Sequence, residues 1–496
     1  MILRPIILAA GVGTRMKSTL PKVLHRVCGR PMIRFVLDAV AEAGFGHPVV
    51  VVGRGADAVR AEVGKGGVIF AEQPEQRGTA DAVRVGLGAA GEGEILVLYG
   101  DVPLVRAATL GALVARQREA HPAITLLTAH LEDPTGYGRI VRGSDGGVAR
   151  IVEEADATPE ERAIKEINPG TYVFDGAVLR EGLGQLRPAN AQGEYYLTDL
   201  IGWALASGRR VEALAAEDAV EVLGVNSRRD LALAESAMRV RLLEGLMDAG
   251  VTVVDPRATY VHAGVSVGEE TVIHPGCSLE GTTRVGRGCV LGPNARLVDA
   301  VIGDRVTVVA STIVQSTMAD GSRIGPYSHL RPGTRVGRGV EIGNFAEMKN
   351  STIGDGSKVH HKSYLGDATL GLRVNVGAGT ITCNLRDRSG KKWPTIIEDD
   401  AFIGSDSMLV APVRIGRGAT TGAGSVVTKD VPAGAVVVGV PARILRSGGA
   451  PPAAAPGVAL DGRKPVSGKR APPPAAPARR RVGTSRRGRG RSGRGR

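Results

Sequence analysis

Aliphatic residues recur along this chain in two different rhythms. Up to Asn226 they gather in short runs, at residues 6–10, 49–52, 95–99 and 124–127, each rich in Val, Ile or Leu and bounded by Gly or polar residues. Such runs predict strands buried on both faces. Between them, residues 32–42 and 80–90 space their apolar positions as helices do. The alternation predicts a largely parallel sheet with helices on both sides. Loops at the carboxyl ends of its strands are where a ligand would bind.

Residues 228–249 read as one more helix, a connector, and after it the rhythm changes. Val261, Val267, Ile273, Leu279, Val285, Leu291 and Leu297 follow one another at intervals of six, as do Ile324, Leu330, Val336, Ile342 and Met348, and again Ile403, Leu409 and Ile415. A glycine often comes next, as in Val285-Gly286, Ile324-Gly325 and Ile342-Gly343. A period of six fits neither a helix nor an ordinary strand, and it predicts a parallel β-helix. Coils stack at about 4.8 Å, and each hexad sends one aliphatic side chain into a narrow prism. Residues 384–396 break the period and predict a protruding loop.

Composition agrees with that architecture. The chain has 70 glycines in 496 residues and only 3% aromatics, as tight corners and a prism too narrow for rings require. Cys28, Cys277, Cys289 and Cys383 form no metal-type or C-x-x-C spacing, which suits a reducing compartment. The run at 6–10 is too short for a signal-peptide core, and no segment has membrane-spanning length, so a cytoplasmic protein is expected. The net charge of +13 is concentrated in residues 447–496, which hold thirteen Lys/Arg and one acidic residue. Rich in Pro, Gly, Ala and Arg, that tail is expected to be disordered and to attract polyanions weakly.

Leu8-Ala9-Ala10-Gly11-Val12-Gly13-Thr14-Arg15-Met16 follows the first predicted strand, and Leu20-Pro21-Lys22 comes soon after. A glycine loop leaving a strand lets backbone N–H groups approach phosphate, with Arg15 and Lys22 supplying charge. The pattern resembles the sugar-1-phosphate nucleotidyltransferases. In that resemblance Gln73, Gly78 and Thr79 match the nucleobase-reading segment, and Tyr99-Gly100-Asp101 places a carboxylate where the family binds magnesium. Gly138, Glu153 and Asn168 match the sugar pocket, and Asn226 matches the second metal contact. The resemblance implies UTP held by the loop, Mg²⁺ on Asp101 and Asn226, and transition-state charge met by Arg15 and Lys22.

The β-helix carries its own ordered set: Arg331, Lys349, His361, Tyr364, Asn375, Ala378 and Asn384. Arg331 and Lys349 would clamp a sugar phosphate, and the imidazole of His361 would take a proton from an attacking amine. Its neighbour His360 is a rival base, and a third ligand that would make the pair a metal site is missing at any characteristic spacing. The set is similar to that of the bifunctional N-acetylglucosamine-1-phosphate uridyltransferase/glucosamine-1-phosphate N-acetyltransferase family, over about residues 5–445. The resemblance implies that Arg331, Lys349, Tyr364 and Asn375 bind the acceptor. It places acetyl-coenzyme A on Ala378, Asn384, Leu385, Ser405 and Ala423.

This implies a Rossmann-like nucleotidyltransferase domain at 1–228, a helical connector at 229–250, a left-handed β-helix acetyltransferase domain at 251–446 and a tail at 447–496. The substrates implied are glucosamine 1-phosphate, N-acetylglucosamine 1-phosphate, UTP and acetyl-coenzyme A, in a homotrimer with acyl sites between subunits. Three positions depart from the family pattern: Leu385-Arg386-Asp387 after Asn384, Gly439 before Val440-Pro441, and Pro169 after Asn168. Two other readings remain: a nucleotidyltransferase whose β-helix only assembles or regulates, and an RNA-associated scaffold working through the tail.

Overall fold

The computed structural model describes residues 2–447 apart from Val12, Lys65, Ala189 and Ala191. The expected basic tail lies outside the described residues from 448 onward. In the first half one ten-stranded sheet runs in the order Ile69–Glu72, Val49–Val52, Leu3–Ala9, Glu94–Tyr99, Tyr172–Asp175, Ile124–His130, Glu166–Asn168, Gly138–Arg142 and Val148–Val152, with Val211–Ala215 beside Ile124–His130. The first four strands pair in parallel. Tyr172–Asp175 is antiparallel to both neighbours, and the strands beyond include a hairpin turning at Gly143–Gly147. The sheet is therefore mixed rather than largely parallel. A hairpin reverses the chain without a crossover helix, and an apolar run announces burial, not direction.

Helices cover both faces as expected. Met32–Glu42 buries Met32, Ile33, Val36, Leu37 and Val40, the helical stripe read from the sequence. Thr79–Ala90 lies against the other face, where a Cβ on Gly86 would come 2.7 Å from Ile6 and 2.8 Å from Val51. Glycine there sets how closely helix and sheet approach.

The helix Arg228–Asp248 links the halves. Ser227 accepts from the Asp230 N–H, while the Asp230 carboxylate accepts from the N–H groups of Ser227 (2.8 Å) and Asn226 (3.0 Å). This capping box fixes Asn226 just ahead of the helix. At the other end Leu243 is buried in the same cluster as Val251 and Val253, closing the apolar prism. The Cys28 carbonyl accepts from Ala263 N–H (2.9 Å), and the Arg239 guanidinium lies 4.6 Å from the Tyr260 ring centre, so the α/β half and the first coils are in contact.

From Thr252 to Val438 the chain winds through three parallel faces, starting at Thr252–Val253, Tyr260–Val261 and Ser266–Val267, and Arg443–Arg446 then turns back antiparallel to Val436–Val438. Ladder pairing on the first face aligns Ile273, Leu291, Val308, Ile324, Ile342, Val359, Val376 and Ile403, all buried inside. The step shortens between Leu297 and Ile302, the next buried ladder residue, where Asp299 takes a positive φ of 48° and makes the corner a glycine makes elsewhere. Hence the six-residue run stops at Leu297 in the sequence although the coil continues. Residues 384–394 leave the coil, pinned by a bridge between Leu385 and Lys392; the loop ends two residues before the expected 396, because Thr395 and Ile396 already pair in the strand Thr395–Ile397.

Candidate functional sites

At the carboxyl ends of the parallel strands lies a cavity of about 280 Å³. Ten of the residues expected there line it: Leu8, Ala9, Ala10, Gly11, Lys22, Gln73, Gly78, Thr79, Tyr99 and Asp101. Val23, Gln76, Ala82 and Glu194 line it as well. Gln76 gave no local signal; it reaches the wall because its amide donates to the Ala10 carbonyl at 3.1 Å. The Gln73 amide nitrogen is engaged by Asp81 Oδ2 (2.9 Å) and the Gly78 carbonyl (3.3 Å), which leaves its carbonyl oxygen as the freer group. Gly78 takes φ 111°, and a Cβ there would come 2.5 Å from the Tyr195 carbonyl oxygen.

Three expected residues converge on one point. Lys22 Nζ donates to Asn226 Oδ1 at 2.9 Å and forms an ion pair with Asp101. Asp101 is 6% exposed, so this is a sheltered cation between two oxygen donors. Asp101 comes from the strand end after Tyr99 and Asn226 from the cap of the linking helix, and the Asp101 carbonyl accepts from Val225 N–H at 2.9 Å to join the two segments. Gly100 packs beneath, its N–H donating to the Leu8 carbonyl at 2.9 Å. Arg15 is exposed on the turn Thr14–Met16 and is not among the residues lining the cavity.

Three more of the expected residues, Gly138, Glu153 and Asn168, are not among those lining this cavity. Glu153 Oε1 accepts from the Thr198 hydroxyl at 2.9 Å, and a Cβ on Gly138 would come 3.3 Å from Glu153 Oε2. Burial lifts the Glu153 carboxyl above its ordinary range, with the Asp199 and Asp156 charges adding to the rise and the Thr198 hydrogen bond opposing it. Burial likewise raises the Tyr99 phenol, helped by the charges of Glu153 and Asp101. Asn168 is buried, donating to the Tyr172 hydroxyl (2.7 Å) and accepting from Gly170 N–H (3.1 Å). Pro169 therefore leaves the Asn168 amide in place.

On the β-helix the expected residues fall into columns. Asn344, His361, Ala378, Ser405 and Ala423 each stand two positions beyond a buried ladder residue of the first face: Ile342, Val359, Val376, Ile403 and Thr421. They stack along one corner, about 4.8 Å per coil. On the second face Arg331 and Lys349 follow the paired residues Leu330 and Met348, and Tyr364 is paired with Glu347. Arg331 is held by Glu347 at 2.8 Å. Asn375 is paired with Lys358 and Phe402 on the first face. Asn384 is buried and donates to Asp367 Oδ2 at 2.7 Å, anchoring the loop, while Leu385 beyond it is exposed.

The two adjacent imidazoles differ. His361 Nδ1 meets Asn344 Oδ1 at 3.0 Å, whereas His360 Nε2 meets the Glu341 carboxylate at 2.9 Å. His361 is exposed and keeps Nε2 without a protein partner among the described hydrogen bonds. Among the described residues no three His, Cys, Asp or Glu side chains cluster as a metal site, and no helix is long and apolar enough to cross a membrane.

Comparison with known proteins fits this division. The MobA-like NTP transferase domain family matches residues 5–166, and the hexapeptide repeat of succinyl-transferase matches residues 394–429. Bifunctional protein GlmU of Pelotomaculum thermopropionicum is 55% identical over 416 residues, covering 84% of this chain and 90% of that protein. Bifunctional protein GlmU of Carboxydothermus hydrogenoformans is 48% identical over 433 residues, covering 87% and 96% respectively. With its nucleotidyltransferase cavity, its hexapeptide coils and this similarity along most of its length, the chain belongs to the GlmU family of bifunctional transferases.

Proposed function

We propose that residues 1–228 carry uridyl transfer and residues 251–446 acetyl transfer, joined by the helical segment 229–250. The chain acetylates glucosamine 1-phosphate and then couples the product to UMP. In the first step the amine attacks the thioester carbonyl of acetyl-coenzyme A; His361 Nε2 accepts the amine proton as the C–N bond forms. The C–S bond breaks, and the coenzyme thiolate leaves and takes up a proton. Arg331 and Lys349, as cations on neighbouring coils, would bind the acceptor phosphate, with Tyr364 and Asn375 orienting the sugar. The column Ala378, Ser405 and Ala423 presents small side chains along which the pantetheine arm would lie, with Asn384 and Leu385 at the loop base.

In the second step a phosphate oxygen of N-acetylglucosamine 1-phosphate attacks the α-phosphorus of UTP. The new P–O bond forms as the bond to pyrophosphate breaks. The glycine loop and Lys22 would hold the phosphates, Arg15 would meet the leaving pyrophosphate from the exposed turn, and Gln73, Gly78 and Thr79 would read uracil. Glu153, Asn168 and Gly138 would bind the sugar. Asp101 and Asn226 fit Mg²⁺, because their oxygens already gather on one cationic group, the Lys22 ammonium. Bound there with the nucleotide, the ion would neutralise phosphate charge.

The observation that carries the reading is this seat of Lys22 between Asp101 and Asn226 at the wall of the cavity lined by the glycine loop. A homotrimer in the cytoplasm, with a tail that binds polyanions weakly and in a salt-sensitive way, completes the proposal. The test is a coupled assay with glucosamine 1-phosphate, acetyl-coenzyme A, UTP and Mg²⁺. Formation of UDP-N-acetylglucosamine that requires all four supports the reading; uridyl transfer without any acetylation would leave the β-helix an assembly module.

A further inference from the structure

We propose that Asn344 sets the working tautomer of His361 and so acts as a positioning residue for acetyl transfer. The inference rests on the reading of His361 as the base. Nothing in the local sequence marks Asn344, five residues before Lys349. The fold pairs it in register with His361 on the adjacent coil and brings its Oδ1 to 3.0 Å from the ring Nδ1. A side-chain carbonyl oxygen can only accept, so Nδ1 carries the proton and the lone pair stays on Nε2. That is the nitrogen left for an incoming amine.

Asn344 is itself held. Its backbone carbonyl accepts from Lys362 N–H at 3.0 Å, and the preceding Gly343 lies so near the next coil that a Cβ would fall 1.9 Å from the His360 carbonyl oxygen. The neighbouring imidazole shows the alternative. His360 is tied through Nε2 to Glu341, which also accepts from Arg323 at 2.6 Å and lies 3.8 Å from Lys358. The one ring is tied to a charged carboxylate and the other to a neutral amide. The remaining charged or titratable groups on the packed strands are Lys358, His360 and Lys362 on the same coil, Glu341 on the preceding one, and Glu347, Lys349 and Tyr364 on the adjoining face. The following coil brings Asn375 and Ala378, which carry no charge.

The test uses the full-length protein with Asn344→Ala and Asn344→Asp, and uridyl transfer serves as the control for folding. Asn344→Ala is expected to lower acetyl-transfer kcat about 10–100-fold, the scale of a lost orienting contact, with the acceptor KM unchanged. Asn344→Asp restores the hydrogen bond and recovers part of kcat, while moving the acid limb of the kcat–pH profile upward because the carboxylate stabilises imidazolium. Nitrogen-15 spectra of the imidazole are expected to show Nδ1 protonated in the wild type and a tautomer mixture in Asn344→Ala. Wild-type kcat and an unmoved pH profile in both variants, or a wild-type ring protonated on Nε2, would overturn the proposal. Full acetyl transfer by His361→Ala would instead remove the base assignment, and the spectra distinguish that failure from this one.

Discussion

The two halves of the chain bring functional groups together by opposite routes. In the α/β half, Lys22 and Asn226 are 204 positions apart and meet only because strand ends and a helix cap converge on one cavity. In the β-helix, Asn344, His361, Ala378, Ser405 and Ala423 are neighbours because each coil repeats the one before. The first arrangement encloses its groups: Asp101 is almost wholly buried and paired with a cation. The second leaves its groups on an outer corner, where His361 is exposed. A converging site couples its members, whereas a column adds them coil by coil.

The comparison is broken most directly at Asp101. Replacing it with Ala removes the carboxylate that gathers the Lys22 ammonium and is expected to cut uridyl transfer by about 10²–10³-fold or more. Acetyl transfer, assayed separately with glucosamine 1-phosphate and acetyl-coenzyme A, should be unchanged. A parallel fall in both rates would show that the halves do not work independently.

A smaller effect is expected at the column. His361→Ala should lose about 10²-fold or more in acetyl turnover, the usual range for a general base. His360→Ala should lose much less, since its ring is committed to Glu341. Equal losses in the two variants would reverse the assignment, and uridyl transfer should be indifferent to both.

The same contrast explains what could be read without coordinates. The helix at 32–42 and the strand at 49–52 appear at those bounds, because amphipathic and all-apolar runs are local signals. The hexad ladder was legible for the same reason, and it broke where corners shortened, as after Leu297, Val308 and Met348, and at the loop 384–394. Direction was not legible: Tyr172–Asp175 runs antiparallel to Glu94–Tyr99, yet its apolar run reads like that of a parallel strand. Motifs located the cavity wall but not Gln76 or Ala82, whose places depend on packing across the sheet. They identified Lys22 as a cation without saying that it sits between Asp101 and Asn226. Asn344 escaped notice because its importance is a matter of register with a residue one coil away.

The smallest expected effect sharpens the enclosed side of the comparison. Glu153 is hydrogen-bonded to the Thr198 hydroxyl, and its carboxyl is raised by burial and by the Asp199 and Asp156 charges. A carboxyl whose folded value lies above its unfolded value binds its proton more tightly when folded, so ionising it costs stability. That cost is absent below the unfolded value of about 4.3, grows as pH rises through the folded value, and is then constant. Glu153→Gln keeps an oxygen that can accept from the Thr198 hydroxyl but cannot ionise. It is therefore expected to raise the thermal midpoint of the ligand-free protein by about 1–2 °C at neutral pH, with the gain vanishing near pH 4. Exposed Glu132, whose carboxyl is lowered chiefly by its hydrogen bond to Lys165, provides the opposite sign. Its stabilisation is present at neutral pH and lost as pH falls through the folded value, so Glu132→Gln should cost a little at pH 7 and progressively less in acid. Calorimetry of the three proteins across that range would decide it: two curves of the same sign would mean that burial does not govern Glu153.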